Sequence, residues 1–347
     1  MSIDFDVVLF NVSAFICAVF VLDYGADKFV DHTVILAKKL KLSETLIALL
    51  TAGAEWEELV VVIAAVLQGK PALAIGNVVG SCISNILGAF SLGLLFRPIE
   101  KFDKSARIYA LVHLIVTVSV GICLITPGPA KMGKIGGGVL ISTFVLYTAS
   151  IGWGIYRGFV TPPDHEDIDS NSDVESVESI PPNTSPGTSS TDNLLAHAAA
   201  FSQKQGERSS IYHMFQIVLG FVALSISGYV LSHAASTLAS TFNLSETVVG
   251  LTILAVSTTL PEKFVAFMSG WRGHSGILVA TTAGSNTFLL TLCIGVALFG
   301  TVNVRESLRA GEVGYLIGSA AAFTAMNLPF GDDRKSNRHA LILILNS

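Results

Sequence analysis

Two short stretches carry carboxylates into runs that are otherwise apolar. "GAEWEE" at 53–58 holds Glu55, Glu57 and Glu58, and "STTLPEKF" at 257–264 holds Thr258, Thr259, Glu262 and Lys263. Each is followed by a second polar patch: "GNVVGSCISN" with Ser81 and Asn85, and "TTAGSNTFLL" with Ser285 and Asn286. Glu58 precedes Ser81 by 23 residues, and Glu262 precedes Ser285 by the same 23. A charged carboxylate at the centre of a membrane helix costs about 2.5–3.5 kcal/mol on insertion scales, so it pairs, faces a water-filled cavity or serves a function. Two such carboxylates at equivalent depth can be stabilised together by one divalent cation. A set of carboxylate, hydroxyl and amide oxygens, with no His or Cys cluster at ligand spacing, favours Ca²⁺ over the softer transition metals. Pro261 and the glycine-containing segments free backbone carbonyls that broken membrane helices use to coordinate ions.

The elements that must position these groups are membrane helices. Half the residues are hydrophobic and 14% are charged, against about 25% in soluble domains. Apolar runs near 7–22, 43–67, 71–95, 106–126, 135–156, 211–240, 244–269, 275–302 and 311–328 approach or exceed the roughly 20 residues a spanning helix needs. A tenth run begins at "RHALILILNS", where the sequence ends. The expectation is an all-α polytopic membrane protein of about ten helices, the last truncated. Cys17, Cys82, Cys123 and Cys293 all fall in apolar runs and read as packed side chains rather than a disulfide framework. No Lys or Arg precedes the first run, so it reads as a span, not a cleaved signal. If the spans alternate, fifteen loop Lys and Arg residues fall on one side and five on the other. That places the N-terminus outside or lumenal and the central loop in the cytoplasm. No basic stripe points to nucleic acid, and the lipid bilayer is the partner the composition requires. No nucleophile with a base, no phosphate loop and no cofactor motif points to an enzyme.

The stretch 157–210 is rich in Asp, Glu, Ser and Pro and is expected to be a disordered acidic loop between a first membrane repeat, 1–156, and a second, 211–347. Its "DIDSNSDVESVE" at 167–178 has oxygen ligands spaced like a calcium loop, but Ser172 replaces the required glycine and prolines flank it, so it reads as a solvated linker. The halves match each other. "LSET" opens an apolar helix at 42–45 and again at 244–247, Gly69 matches Gly273, and Gly80 matches Gly284. Five spans separate equivalent points, so the second copy inserts upside down and the site is expected at the midplane between the copies. His113 and His233 lie in apolar spans and read as packing or interhelical hydrogen-bonding residues.

"GADKFVDHTVILAKKLKLSETLIALL", "GNVVGSCISNI", "STTLPEKF" and "AGSNTF" resemble the cation/calcium exchanger superfamily, the sodium/calcium exchangers and their relatives, over most of both halves. The resemblance implies two inverted five-helix repeats and alternating access to a central site. It implies Ca²⁺ binding at Glu58 and Glu262, Na⁺-binding hydroxyls at Ser81, Thr258, Thr259 and Ser285, and a central amide at Asn85; the adjoining Asn286 is included in the site. No resident cofactor is implied, only transported Ca²⁺ and Na⁺ or H⁺. The first repeat departs from the pattern: Ala54, Glu55 and Glu57 stand where the family has threonine, serine and proline. In the second, Leu289 stands where a polar counterpart of Asn85 is expected. Extra carboxylates leave proton coupling open, because like charges in low dielectric cannot all stay ionised without a cation. Lys263 either neutralises a carboxylate or reaches the membrane surface. Two other readings stand beside the antiporter: a transport-dead scaffold of the same fold, and a divalent-cation channel.

Overall fold

The computed structural model describes residues 4–40, 54–96, 104–125, 130–157, 209–260, 263, 275–300 and 308–327, and every regular element among them is helical. In chain order these are α1 (Phe5–Lys39), α2 (Trp56–Leu67), α3 (Pro71–Ser84), the π-helical π1 (Asn85–Phe90), α4 (Ser91–Phe96), α5 (Lys104–Ile125) and α6 (Ala130–Tyr156). The second half contributes α7 (Ser210–Thr241), α8 (Glu246–Val249), π2 (Gly250–Leu254), α9 (Ala255–Thr258), α10 (Ser275–Phe288), π3 (Leu289–Cys293), α11 (Ile294–Gly300) and α12 (Ala310–Asn327).

The internal repeat is visible in these boundaries. Adding 204 to Asn85 gives Leu289, so the described rods 71–96 and 275–300 break into a π-turn at equivalent residues. These rods are also the most deeply buried: 78% of the span in the first and 72% in the second, against 6% for α6. They run in opposite directions. Residues 73–82 lie in the larger apolar cluster and Ile86, Ala89 and Phe90 in the smaller one, whereas Leu278, Val279 and Ala283 lie in the smaller and 288–298 in the larger. The inverted repeat therefore places two antiparallel rods at the centre, where each half supplies one wall.

Close approach lets the rods meet the rest. Gly76 and Gly80 on α3 form a small-xxx-small pair, the pattern that lets membrane helices approach backbone to backbone. A Cβ at Gly76 would stand 2.5 Å from the Thr247 carbonyl oxygen, and one at Gly80 would overlap the Leu251 carbonyl and approach Ala255 Cβ to 2.6 Å. Gly250 returns the contact, 2.5 Å from the Leu73 carbonyl. The repeat-related helices α1 and α7 pack against each other in the same manner, Gly25 against Leu224 and Gly220 against Phe29. His32 and His213 are buried in that seam with their Nδ1 atoms 2.9 Å apart.

Local signals fix the turns. Ser245 of the second "LSET" is an N-cap whose Oγ accepts from Val248 N–H at 3.2 Å. The following Glu246 accepts from Ser236 and pairs with Lys70 at 2.8 Å, fastening the α2–α3 turn to the second repeat. That turn is a Schellman closure in which Gly69 sits at φ 72, Gly69 N–H bonds Val66 and Lys70 N–H bonds Ala65. Pro71 then opens α3 at the position where a missing N–H is harmless.

Several boundaries differ from those read off hydropathy. The first span, expected at 7–22, is one 35-residue helix, about 52 Å long; Asp23, Asp27, Lys28 and Asp31 form polar faces on a helix that continues, so Lys28, Lys38 and Lys39 are helical rather than loop residues. Of nine expected spans, six are long and apolar enough to cross a membrane among the described residues. The others are α12, with 18 residues, and two for which only 56–67 and 246–258 appear as helix beside undescribed sequence. Cys82 and Cys293 are buried as expected, but Cys17 and Cys123 are exposed on the apolar outer surface. His113 is packed edge-on against Phe323, while His233 is exposed and stacked on Tyr229. The central loop and the final apolar run lie outside the described residues.

Gly80→Val is expected to destabilise the protein by about 1–3 kcal/mol, the usual cost of overpacking. Gly138→Ala, with open space around it, should be neutral or stabilising by up to about 1 kcal/mol through helix propensity. Thermal unfolding in detergent, followed by size-exclusion fluorescence, separates the two.

Candidate ion site between the inverted repeats

Glu58 sits in the first turn of α2 and is fully enclosed. The helix N-terminus there presents unpaired N–H groups and a partial positive charge that favour an acidic side chain. Its carboxylate gathers three donors from two elements. Ser81 Oγ donates to Oε1 at 2.8 Å, Thr258 Oγ1 donates to the same oxygen at 2.5 Å, and Asn77 Nδ2 donates to Oε2. Asn77 and Ser81 are one turn apart on α3, whereas Thr258 arrives from the other repeat at the end of α9. Thr258 has a single proton, and the Leu254 carbonyl 2.9 Å away competes for it. When that proton turns to the carbonyl, the Thr258 lone pairs face the carboxylate side and suit a cation.

Glu55 builds the adjoining half of the site. It is the residue at the N-terminal boundary of α2 and makes no cap bond with its side chain. Instead Asn85 Nδ2 donates to its Oε1 at 3.1 Å, and the Ser285 hydroxyl stands beside the carboxylate. Asn85 Nδ2 also lies 3.2 Å from Asn286 Oδ1, and Asn286 Nδ2 donates to the Cys82 carbonyl at 3.0 Å. The two central rods are thus joined by a reciprocal amide contact directly under the glutamates. Glu57 is half-buried and within electrostatic range of Glu55, Glu58 and Asp23 on α1.

Thr259 follows the last residue of α9 in a turn conformation. Its hydroxyl donates to the Ala255 carbonyl at 2.7 Å and accepts from Lys263 Nζ at 2.8 Å; the Ser84 hydroxyl lies 3.5 Å away. Three buried acceptor oxygens in this region have no hydrogen-bond donor among the described residues: Glu55 Oε2, Asn77 Oδ1 and Asn85 Oδ1. Buried acceptors are nearly always satisfied in native proteins. A cluster of carboxylate and amide oxygens without donors matches what a hard cation requires.

A model of the sodium/calcium exchanger proteins matches residues 10–153 and 212–345, most of both halves. The chain belongs to the sodium/calcium exchanger family. Among its relatives within and around that family are the putative antiporter CaxA of Alkalimonas amylolytica, 27% identical over 91% of this chain and 89% of the relative, and the inner membrane protein YrbG of Escherichia coli K12, 24% identical over 79% and 74%. The sodium/calcium exchanger MaX1 of Methanosarcina acetivorans is 30% identical over 27% of each chain. The sodium-calcium exchanger NCX_Mj, soaked with 10 mM Na⁺ and 10 mM Sr²⁺, shares the fold at a TM-score of 0.55 and 20% identity, over 98% of this chain and 96% of that one. The family is one of multi-pass membrane transporters, and this chain shares the fold of that solved exchanger.

Within this exchanger-family fold, the expected residues Glu58, Ser81, Asn85, Thr258, Ser285 and Asn286 converge on one buried region. Thr259 is adjacent but engages Lys263 instead of Glu58. Glu262 and Pro261 lie outside the described residues. Thr258 and Thr259 are not within one continuous helix, because α9 ends between them. The sequence reading missed Asn77, whose amide completes the Glu58 shell. Its placement four residues before Ser81, facing the same way on a helix, was the available signal. The bond from Asn85 brings Glu55 into the central network. Leu289 is buried where a polar partner of Asn85 was expected, and Asn286, about one turn earlier, supplies the amide.

Asn77→Ala should cost about 1–3 kcal/mol by leaving a buried carboxylate oxygen without its donor. Thr237→Ala, which removes an exposed hydroxyl bonded to its own helix, should change the melting temperature little in the same assay.

Proposed function

We propose that the chain is a secondary active antiporter that exchanges Ca²⁺ for Na⁺ by alternating access. In this reading Glu58 and Glu262 are the charged Ca²⁺ ligands, and Ser81, Thr258, Thr259, Ser285, Asn85 and Asn286 supply hydroxyl and amide oxygens to Ca²⁺ or Na⁺. The observation that carries it is the buried Glu58 carboxylate, met by Ser81 and Asn77 from one repeat and Thr258 from the other, beside three acceptor oxygens that have no donor among the described residues. Such a site is stable as a store of negative charge only when a cation is present or its donors are turned inward. Exchange follows from that requirement: one ion leaves productively when another takes its charge-compensating role.

The repeats 1–156 and 211–347 are the two moving halves, joined by a cytoplasmic loop at 157–210 with the N-terminus outside. Because inverted copies frame the site, a change that opens one copy's path has its mirror in the other. H⁺ is the second candidate for the counter-ion. A specific observation favours it: Glu55, a titratable group, is buried in the site where the family pattern has a serine.

Reconstituted vesicles test the reading. Ca²⁺ uptake driven by an outward Na⁺ gradient, or by an outward H⁺ gradient, is expected in the wild-type protein and should fall at least ~10-fold in Glu58→Gln, a loss of about 1.4 kcal/mol or more. Uptake that ignores both gradients would instead describe a channel. No uptake from folded protein would describe a scaffold.

A further inference from the structure

The two repeats are unequal at the positions that set the charge of the site. Glu55 and Thr259 are related by the same 204-residue offset that relates the rods, as are Leu59 and Lys263, and Gly88 and Leu292. The first repeat therefore carries a carboxylate where the second carries a hydroxyl, and the second carries an ammonium where the first carries an apolar side chain. The ammonium is half-buried and folds back on its own segment. Lys263 Nζ donates to Thr259 Oγ1 at 2.8 Å and to the Val256 carbonyl at 3.3 Å, near the C-terminal end of α9 where the helix dipole favours positive charge. The Thr259 proton is engaged by the Ala255 carbonyl at 2.7 Å, which leaves a lone pair for a cation. The aliphatic arm crosses Gly88 on π1, where a Cβ would stand 3.1 Å from Lys263 Cε. The second repeat has Leu292 at the corresponding place. Glu55 feels this ammonium across the site.

We propose that the Lys263 ammonium is a tethered cation of the transport site, held on the Thr259 hydroxyl in place of one mobile monovalent ion, so that fewer monovalent ions are exchanged per Ca²⁺. The proposal rests on the antiport reading above. Hydroxyl and carbonyl oxygens at the end of a broken helix are ligands that suit Na⁺, and here they hold a charge that never leaves. Its positive charge balances the additional carboxylate at Glu55, so the lysine and the glutamate form one compensated pair. Lys263 is in this sense a stoichiometry-determining residue rather than a Ca²⁺ ligand.

The test compares wild type, Lys263→Met and Lys263→Arg. In vesicles held at zero membrane potential with a fixed Ca²⁺ gradient, the monovalent-ion gradient that abolishes net Ca²⁺ flux gives the number of monovalent ions exchanged per Ca²⁺. Loss of a fixed charge at the Thr259 hydroxyl calls for one replacement cation, so that number should be higher by about one in Lys263→Met. It should be unchanged in Lys263→Arg. An unchanged ratio in Lys263→Met overturns the proposal. Should that variant carry no flux, the Hill coefficient for Na⁺ displacement of radioactive calcium from purified protein decides: steeper displacement than in wild type supports the tethered cation, and equal steepness overturns it. A wild-type protein that binds Ca²⁺ but transports none overturns the antiport reading alone, and the binding comparison still decides the lysine. A wild-type protein that binds no Ca²⁺ overturns both.

Discussion

Burying the Glu58 carboxylate is the constraint from which the surrounding arrangement follows. Its oxygens require donors in a region without bulk water, and one helix cannot present them all. Asn77 and Ser81 come from α3, and Thr258 comes from the opposite repeat. For Thr258 to reach, α3 must touch the 246–258 segment at backbone distance, which Gly76, Gly80 and Gly250 make possible. Polar chemistry at the centre and glycine packing around it are therefore one requirement expressed at two ranges. The ion pair between Lys70 and Glu246 acts at the periphery of the same contact.

Symmetry supplies the frame, and departures from it supply the chemistry. The backbone repeats closely enough that the π-turns begin at Asn85 and Leu289, equivalent residues. The side chains repeat only in part: Ser81 corresponds to Ser285, but Glu55 to Thr259, Leu59 to Lys263 and Asn85 to Leu289. The first copy contributes carboxylates, amides and the Ser81 hydroxyl, through Glu55, Glu58, Asn77, Asn85 and Ser81, while the described part of the second contributes hydroxyls, the Asn286 amide and an ammonium. A site with unlike side chains at equivalent positions can be electrically balanced in ways that a symmetric one cannot.

Much of this was legible in the sequence. Equal spacing from glutamate to serine in both halves identified Glu58, Ser81 and Ser285 as partners in one site, because a repeated interval survives insertion in either orientation. The start of the first rod at Pro71 was read directly from hydropathy. Less legible were features that depend on the third dimension. Asn77 looks like packing in "GNVVG" until the direction of its amide is known. The continuation of α1 through Asp23, Asp27 and Asp31 is hidden because a hydropathy window averages a polar face with the apolar one beside it. The same averaging conceals His32 and His213, which meet only when α1 and α7 pack together. That Leu289 is apolar could be read directly; that Asn286 takes up the amide role from one turn away could not.

The π-turns carry a geometric consequence of their own. Each wide turn inserts an extra residue, so the helical stretches on its two sides are out of phase by about 100°, the angle one residue subtends. Asn77, Ser81 and Asn85 point at the glutamates before the insertion, and Ile86, Ala89 and Phe90 then enter a different apolar cluster, where Phe90 stacks edge-on against Phe323 at 4.7 Å. Deleting one residue from 85–90 would restore an unbroken α-helix and turn one end of the rod against the other. Either the amide would leave Glu55 or the phenyl ring would leave its partner. The length of this rod is consequently as strictly specified as its composition.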